Sequence, residues 1–557
     1  MLVVFEGIDG SGKTTLSNRV ASLLPGVRHV RQGGELASSV ASAIRQLARD
    51  SRNLLLTPRA ELFLYLAREI QLFEEVTLPA VQRGDLVIAD RFIYAAEVLA
   101  SRGRGLPEDH VVPAAMAAVR TEPDLVVLVD VHPQVARARR RVRGLLAKAK
   151  APTSRKGLAG IGMHYRLRDG YLELAERWPE RWLVVDNSEA HMDSLVSFVN
   201  GVLLRAQRHG VPAALALARE SRPPRPSPPP VVTTPAEAKA ALLSWVDRAT
   251  YREPHVAACF LAGLHGEHVD ERRENLAGPS PEVIAWGLKG MADAVSARLR
   301  LRLVSRAPGL VARSLAGLAE DQGNARWLFR MLAPVVPEDV AAALDGRDDP
   351  EAWRLRAELE PVVPHRVVAS LKRMDTPQAW ELRERLSKGP KDLLSTCAGA
   401  SAMADSVTGL DDERSWAVRE AALLLAPVDA LASLDGIASP RAFRWREKYL
   451  SSAPRVILCT LSGMDDPRAW DLREAKARTC KEVFDSMVGL DGARARRLRE
   501  DCADTWPSTV VKSLGPLARA PWGRELLTGL LSRHAGNLSL WKHAMVLASD
   551  EDWAEAA

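Results

Sequence analysis

The stretch that most restricts what this chain can fold into is Gly7-Ile8-Asp9-Gly10-Ser11-Gly12-Lys13-Thr14-Thr15. It follows the apolar run Leu2-Val3-Val4-Phe5 and leads into Leu16-Ser17-Asn18-Arg19-Val20, which reads as helix. Strand, glycine-rich turn and helix in this order make a phosphate-binding loop. Gly7, Gly10 and Gly12 let the backbone turn so that several N–H groups, from Ser11 to Thr15, converge on one point. The positive end of the following helix lies behind them. Lys13 can reach β- and γ-phosphates, and the Thr14 hydroxyl can join the shell of a Mg²⁺ ion. The expected ligand is a nucleoside triphosphate with Mg²⁺.

At 557 residues the chain exceeds one hydrophobic core, so two or more domains are expected. The run Pro223-Pro224-Arg225-Pro226-Ser227-Pro228-Pro229-Pro230 excludes helix and central strand and behaves as an extended spacer. It divides the sequence into a domain over residues 1–215, a linker over 216–238 and a second domain over 239–557.

The first part alternates strand-like and helix-like segments. Leu86-Val87-Ile88-Ala89-Asp90, Leu125-Val126-Val127-Leu128-Val129-Asp130 and Trp182-Leu183-Val184-Val185-Asp186 are short apolar runs ending in Asp, as buried parallel strands do. Helical patterns lie between them, the longest from about Pro58 to Gln82. An α/β domain follows, a parallel sheet with helices on both faces and ligands at the carboxyl ends of the strands.

The second part has no convincing strand run and carries a repeat. Asp349-Pro350-Glu351-Ala352-Trp353-Arg354-Leu355-Arg356 recurs around Trp380, Trp416, Phe443 and Trp470, at separations of 27, 36, 27 and 27. Weaker copies fall at Trp327 and Trp522, with Arg496 in an aromatic's place. Each copy opens on Asp, Thr or Ser, usually followed by Pro: a helix N-cap with proline in the first turn. A unit of this length holds two short helices, so an all-α solenoid of HEAT-like units is expected. The aromatic reads as core between units, and the recurring Arg as a structural partner for an acidic group. Such an array offers a face to a protein partner that the sequence does not name.

Five cysteines with no CxxC pair are not a disulfide framework, which points to a reducing cytoplasm. Glu6 and Asp9 interrupt the first apolar run after four residues, so it is no signal peptide, and no later run is long enough to span a bilayer. The net charge of +6 permits a polyanionic partner, but much of the excess is local. From Arg137 to Arg168 the chain is densely basic, including Arg139, Arg140, Arg141, Arg143, Lys148, Lys150, Arg155, Lys156 and Arg166, with glycines between. That composition suits a lid closing over phosphates. No zinc motif or RNA-binding aromatic signature supports nucleic-acid binding. His265-Gly266-Glu267-His268 offers two histidines with no third metal ligand. Asp90-Arg91, ending a strand, adds a carboxylate for the metal's shell and a guanidinium for a second phosphate.

Together, Phe5 to Thr15, Asp90-Arg91-Phe92, Gly103-Arg104-Gly105, Pro123 to Asp130 and Tyr171-Leu172-Glu173-Leu174-Ala175 resemble the thymidylate kinase family over roughly residues 1–207. The resemblance implies ATP-dependent phosphorylation of a nucleoside monophosphate such as dTMP. It implies Lys13 and the lid arginines Arg143 and Arg155 on the transferred phosphoryl group, and Thr14 and Asp90 at the metal. It also implies Asp9 near the acceptor sugar, Arg91 on the acceptor phosphate, and Tyr65, Arg68 and Arg104 around the acceptor.

The sequence departs from the family on the acceptor side. Arg31-Gln32-Gly33-Gly34 stands where the family has Arg-Glu-Pro-Gly-Gly. Tyr65 is followed four residues on by Glu69 rather than arginine, with Arg68 one place early. Ala95, Ala96, Leu99 and Ala100 replace polar groups around base and sugar. A pocket without those groups cannot compensate the burial of thymine's polar edge in the same way. Two readings therefore stand: a nucleotide kinase with a changed acceptor, or a nucleotide-gated interaction protein whose acceptor site is degenerate.

Overall fold

The computed structural model describes the chain except residues 33–34, 120, 148–153, 189–190, 221–231, 320, 323, 388–392, 535 and 548–557. The proline run, Gly33, Gly34, Lys148 and Lys150 thus lie outside the described residues. The rest divides into two compact units, Met1–Arg141 with Pro152–Pro228 and Pro229–Ala557 with Val142–Ala151.

The first unit is built on a five-stranded parallel sheet: β1 (Leu2–Glu6), β2 (Arg28–His29), β3 (Val87–Asp90), β4 (Leu125–Asp130) and β5 (Trp182–Asp186), in the order β2-β3-β1-β4-β5. Val4 of the central strand lies opposite Ala89 on one side and Val126 on the other. The three middle strands are apolar at almost every position because helices cover both faces of the sheet. Phe5, Ile88 and Val127 share one core with Leu16 and Val20 of α1 (Lys13–Leu23). Further helices are α2 (Ser39–Arg49), α3 (Pro58–Leu72), α4 (Leu78–Gln82), α5 (Ile93–Val98), α6 (Glu108–Ala117), α7 (Pro133–Leu146), α8 (Gly162–Arg177), α9 (Met192–His209) and α10 (Val211–Glu220). A π turn, Phe73–Thr77, joins α3 to α4, so the long helical stretch expected there is one rod with an irregular middle. Leu215 of α10 is buried in the same core, which carries the first unit past residue 215. Register also matters for chemistry: Phe5 pairs with Asp90, so β1 and β3 end side by side and present Glu6 and Asp90 together.

The second unit is all helical. One row of helices packs in succession: Pro235–Thr250, Pro254–Leu261, Pro281–Gly287, Pro308–Ser314, Pro337–Ala343, Pro364–Ala369, Cys397–Ser406, Pro427–Ala432, Pro454–Cys459, Glu482–Ser486, Pro507–Leu514 and Leu538–Leu547. A second row alternates with it, among them Pro350–Leu359, Glu413–Ala422 and Pro440–Tyr449. The N-caps are those read from the sequence: Asp349 accepts from the Ala352 N–H at 2.8 Å and Asp466 from the Arg468 N–H at 2.8 Å. The long spacing between Trp380 and Trp416 includes a 3₁₀ turn at Leu393–Ser395 and the longer helix Cys397–Ser406. One feature was not expected. The first helix of the row, Pro235–Thr250, packs against the last, Leu538–Leu547, so the row closes on itself.

The recurring arginine has a structural role, but its partners differ from those expected. Eight arginines, from Arg273 to Arg499, are fully buried among the described residues. Arg419 shows the pattern. Its guanidinium donates to the carbonyls of Val407 and Leu410, both at 2.7 Å, and to the Ser433 hydroxyl at 2.9 Å. Val407 and Ser433 terminate two successive helices of the row, so one cation satisfies carbonyls at two helix C-termini, where a positive charge is favoured. Carbonyls and a hydroxyl, not a carboxylate, hold the arginine; Arg273, which also binds Asp270, is the variant. Burial lowers the Arg419 guanidinium only to about 10, so it stays charged at neutral pH. Trp416 lies between two arginines, Arg419 at 5.0 Å and Arg441 at 4.5 Å from its ring centre, with its N–H on Asp411.

Candidate functional site

The loop between β1 and α1 is packed too closely for any residue but glycine at Gly7, Gly10 and Gly12. A Cβ on Gly10 (φ +96°) would stand 2.4 Å from the Ala136 carbonyl, and one on Gly12 (φ +88°) 2.5 Å from the Asn187 amide. Asn187 is buried and donates to the Ser11 carbonyl at 2.6 Å, tying the loop to the end of β5. Gly7 and Ser11 are buried within the loop, and Thr15 faces solvent.

Lys13 lies buried with its ammonium on the Ile8 carbonyl at 3.2 Å and 3.9 Å from Asp9. The Thr14 hydroxyl donates to Asp90 Oδ2 at 2.6 Å, which joins the loop to β3. This hydroxyl and carboxylate are hard oxygen donors, the chemistry Mg²⁺ requires. Elsewhere, among the described residues, no group of three His, Cys, Asp or Glu side chains is arranged to hold a metal, and His265 and His268 are exposed.

Arg91 adopts φ +82°, a left-handed conformation that is strained for a side chain of this kind. It sends its guanidinium back over the loop, to Asp9 at 2.5 Å and the Tyr171 hydroxyl at 3.1 Å. Glu6 lies beneath, fully buried, and accepts from the Phe92 N–H at 2.9 Å. Asp9 is thereby ringed by cations: Arg91, Lys13 and, at 3.5 Å, Lys156. Burial pushes its carboxyl up, and the charges of Lys156, Arg91 and Lys13 outweigh that, leaving it well below its ordinary value. Burial, aided by Arg91, brings the Lys13 ammonium down to about 7, and burial brings Lys156 to about 8. Each cation is one a phosphate would welcome.

The remaining expected residues form a second cluster. Arg104 and Arg155 both bind Glu61, at 2.6 Å each, and Arg155 also donates to the carbonyls of Asn53 and Leu56. Arg68 pairs with Glu69 and stacks 5.0 Å from the Tyr65 ring centre. Arg143 lies exposed in the last turn of α7, in the segment grouped with the helical unit. The structure therefore brings Lys13, Thr14, Asp90, Asp9 and Arg91 together and sets Arg104 and Arg155 on Glu61 instead. Sequence reasoning missed Lys156 as a ligand of Asp9, although it adjoins Arg155 in the basic segment. Asn187, Glu61 and His164 carried no signal.

A phosphate loop after the central strand, an Asp-Arg pair after its neighbour and a basic segment before α8 define a nucleotide-kinase fold for the first unit. The family model for thymidylate kinase matches residues 5–197. Thymidylate kinase from Geobacter sp. is 38% identical over 191 residues, 33% of this chain and 84% of that protein. Thymidylate kinase from Desulfovibrio desulfuricans is 33% identical over 215 residues, 38% of this chain and 98% of its own length. A crystal structure of thymidylate kinase from Ehrlichia chaffeensis aligns with 24% identity and a TM-score of 0.29, over 37% of this chain and 98% of that one. The chain belongs to the thymidylate kinase family through its first 200 or so residues, with a long all-helical region beyond them.

Proposed function

We propose that the first unit transfers the γ-phosphoryl group of ATP to the phosphate of a nucleoside monophosphate, dTMP or a close relative. The bond from the γ-phosphorus to the bridging oxygen breaks, and a bond to an acceptor phosphate oxygen forms, leaving ADP and a nucleoside diphosphate. The loop N–H groups and Lys13 hold the triphosphate, and Thr14 and Asp90 hold Mg²⁺, which when bound neutralises phosphate charge. Arg91 and Lys156 receive the acceptor phosphate, while Asp9 orients the sugar. Phosphoryl transfer needs positioning and charge neutralisation above all. The observation that carries this reading is the convergence of Lys13, Arg91 and Lys156 on Asp9 at the ends of β1 and β3. Incubating the full chain with ATP, Mg²⁺ and a panel of nucleoside monophosphates tests it; the absence of any diphosphate product removes it.

A second reading has support in one observation. Arg68 and Arg104 are each paired with a glutamate, so two acceptor-side cations are neutralised by the protein itself. On that reading ATP binding gates a protein partner held by the helical unit. Partner capture unchanged by ATP would dispose of it. None of the five cysteines is joined in a disulfide, and no described helix is long and apolar enough to cross a membrane. We place the protein in the cytoplasm on the thiols.

A further inference from the structure

We propose that His164 binds the acceptor nucleotide, donating a ring N–H to its phosphate beside Arg91 and Lys156. The inference rests on the kinase reading and names a contact no motif supplies. His164 stands in the first turn of α8 and is 2% exposed, yet neither ring nitrogen has a hydrogen-bond partner. Burying an imidazole without partners costs stability, and such a group in a functional cleft is explained when a ligand satisfies it.

Its position says which ligand. His164 and Tyr171 are two helical turns apart, on one face of α8. Tyr171 receives the Arg91 guanidinium, so that face looks onto the loop cluster. The charges acting on His164 include Arg140 on α7, Lys156 before α8, Asp9 in the loop and Arg91 after β3. Burial and the cations keep the ring neutral, so it offers one donor and one acceptor nitrogen. Lys13, Arg91 and Lys156 around the Asp9 carboxylate form a seat for a dianionic phosphate, and the His164 ring, in the field of Lys156, Asp9 and Arg91, adds an N–H donor to it. The acceptor side has lost polar groups at Ala95, Ala96, Leu99 and Ala100. His164 adds a polar contact at the phosphate, from a different helix.

The test is binding of dTMP, and of thymidine as the phosphate-free control, to the full chain by calorimetry without ATP. His164→Phe should weaken dTMP at least ~10-fold, the worth of a hydrogen bond to a charged group, and leave thymidine and MgATP binding unchanged. His164→Asn, which keeps an N–H donor, should recover part of the loss. In turnover the same variants should raise the acceptor KM more than they lower kcat. If wild type and His164→Phe bind dTMP equally, this inference alone is overturned. If wild type binds neither dTMP nor any other monophosphate of the panel, the kinase reading falls and takes it along. Loss of MgATP binding in both variants would show a structural residue and also overturn it.

Discussion

The Thr14 hydroxyl and the Asp90 carboxylate meet at 2.6 Å, a contact that spans 76 positions of sequence and locks the phosphate loop to the end of β3. On the kinase reading these two oxygens, one neutral and one charged, would be two of the ligands of a bound Mg²⁺. Asp90→Asn should therefore keep the fold and raise the Mg²⁺ concentration for half-maximal activity roughly tenfold. Magnesium titrations of wild type and variant, with circular dichroism as the fold control, measure this.

Lys13 sits near half-protonation at neutral pH in the free protein, because burial and Arg91 lower its ammonium to about 7. Bound phosphates favour the charged form. MgATP affinity should be level below pH 7 and fall as pH rises above it, by up to roughly tenfold per unit. The unfolded chain holds this proton up to its ordinary value of 10.5, so the group also adds stability as pH rises from about 7 to 10.5. Lys13→Met should flatten both profiles and abolish turnover; calorimetry across pH and a coupled ADP assay would show it.

Glu61 gives a slope of the same sign in a more acidic window. Burial raises its carboxyl, but hydrogen bonds and charge from Arg104 and Arg155 outweigh this, so it titrates below its ordinary 4.5. It stabilises the fold above that value, and the contribution is lost as pH falls through the lowered one. Glu61→Gln should destabilise the first unit near neutrality and weaken the acid dependence of unfolding below pH 4.5, as followed by urea denaturation at several pH values.

Arg419→Leu would take the guanidinium donors away from the carbonyls of Val407 and Leu410 and from the Ser433 hydroxyl inside the helical unit. The expected loss is about 3–5 kcal/mol, with little effect on nucleotide binding. Arg444→Ala, on an exposed position of the helix Pro440–Tyr449, should stay within about 0.5 kcal/mol. Denaturant titrations of both variants compare them directly.

Local chemistry was legible wherever it is written in adjacent residues. The phosphate loop, the runs ending at Asp90, Asp130 and Asp186, and the capped helices after Asp349 and Asp466 are all short-range patterns. What escaped is set by contacts far apart in the chain. Arg155 reads as a lid cation because it lies among cations, yet its geometry is decided by Glu61, 94 positions earlier. Arg419 reads as needing a carboxylate because guanidinium groups do so in solution. Its true partners are main-chain oxygens freed by helix ends, which have no sequence signature. His164 shows nothing in isolation, since a histidine is noticed only when its neighbours are known.

The packing of Pro235–Thr250 against Leu538–Leu547 has a consequence for how this part of the molecule can change over time. An open stack can gain or shed a unit at either tip and keep every surviving joint at its old angle. A loop of helices has no tip. Removing about 27 residues would oblige every joint to bend further at once, or leave a gap with two raw apolar faces. The number of units is thus fixed by geometry, and variation has to be sought in the side chains they carry.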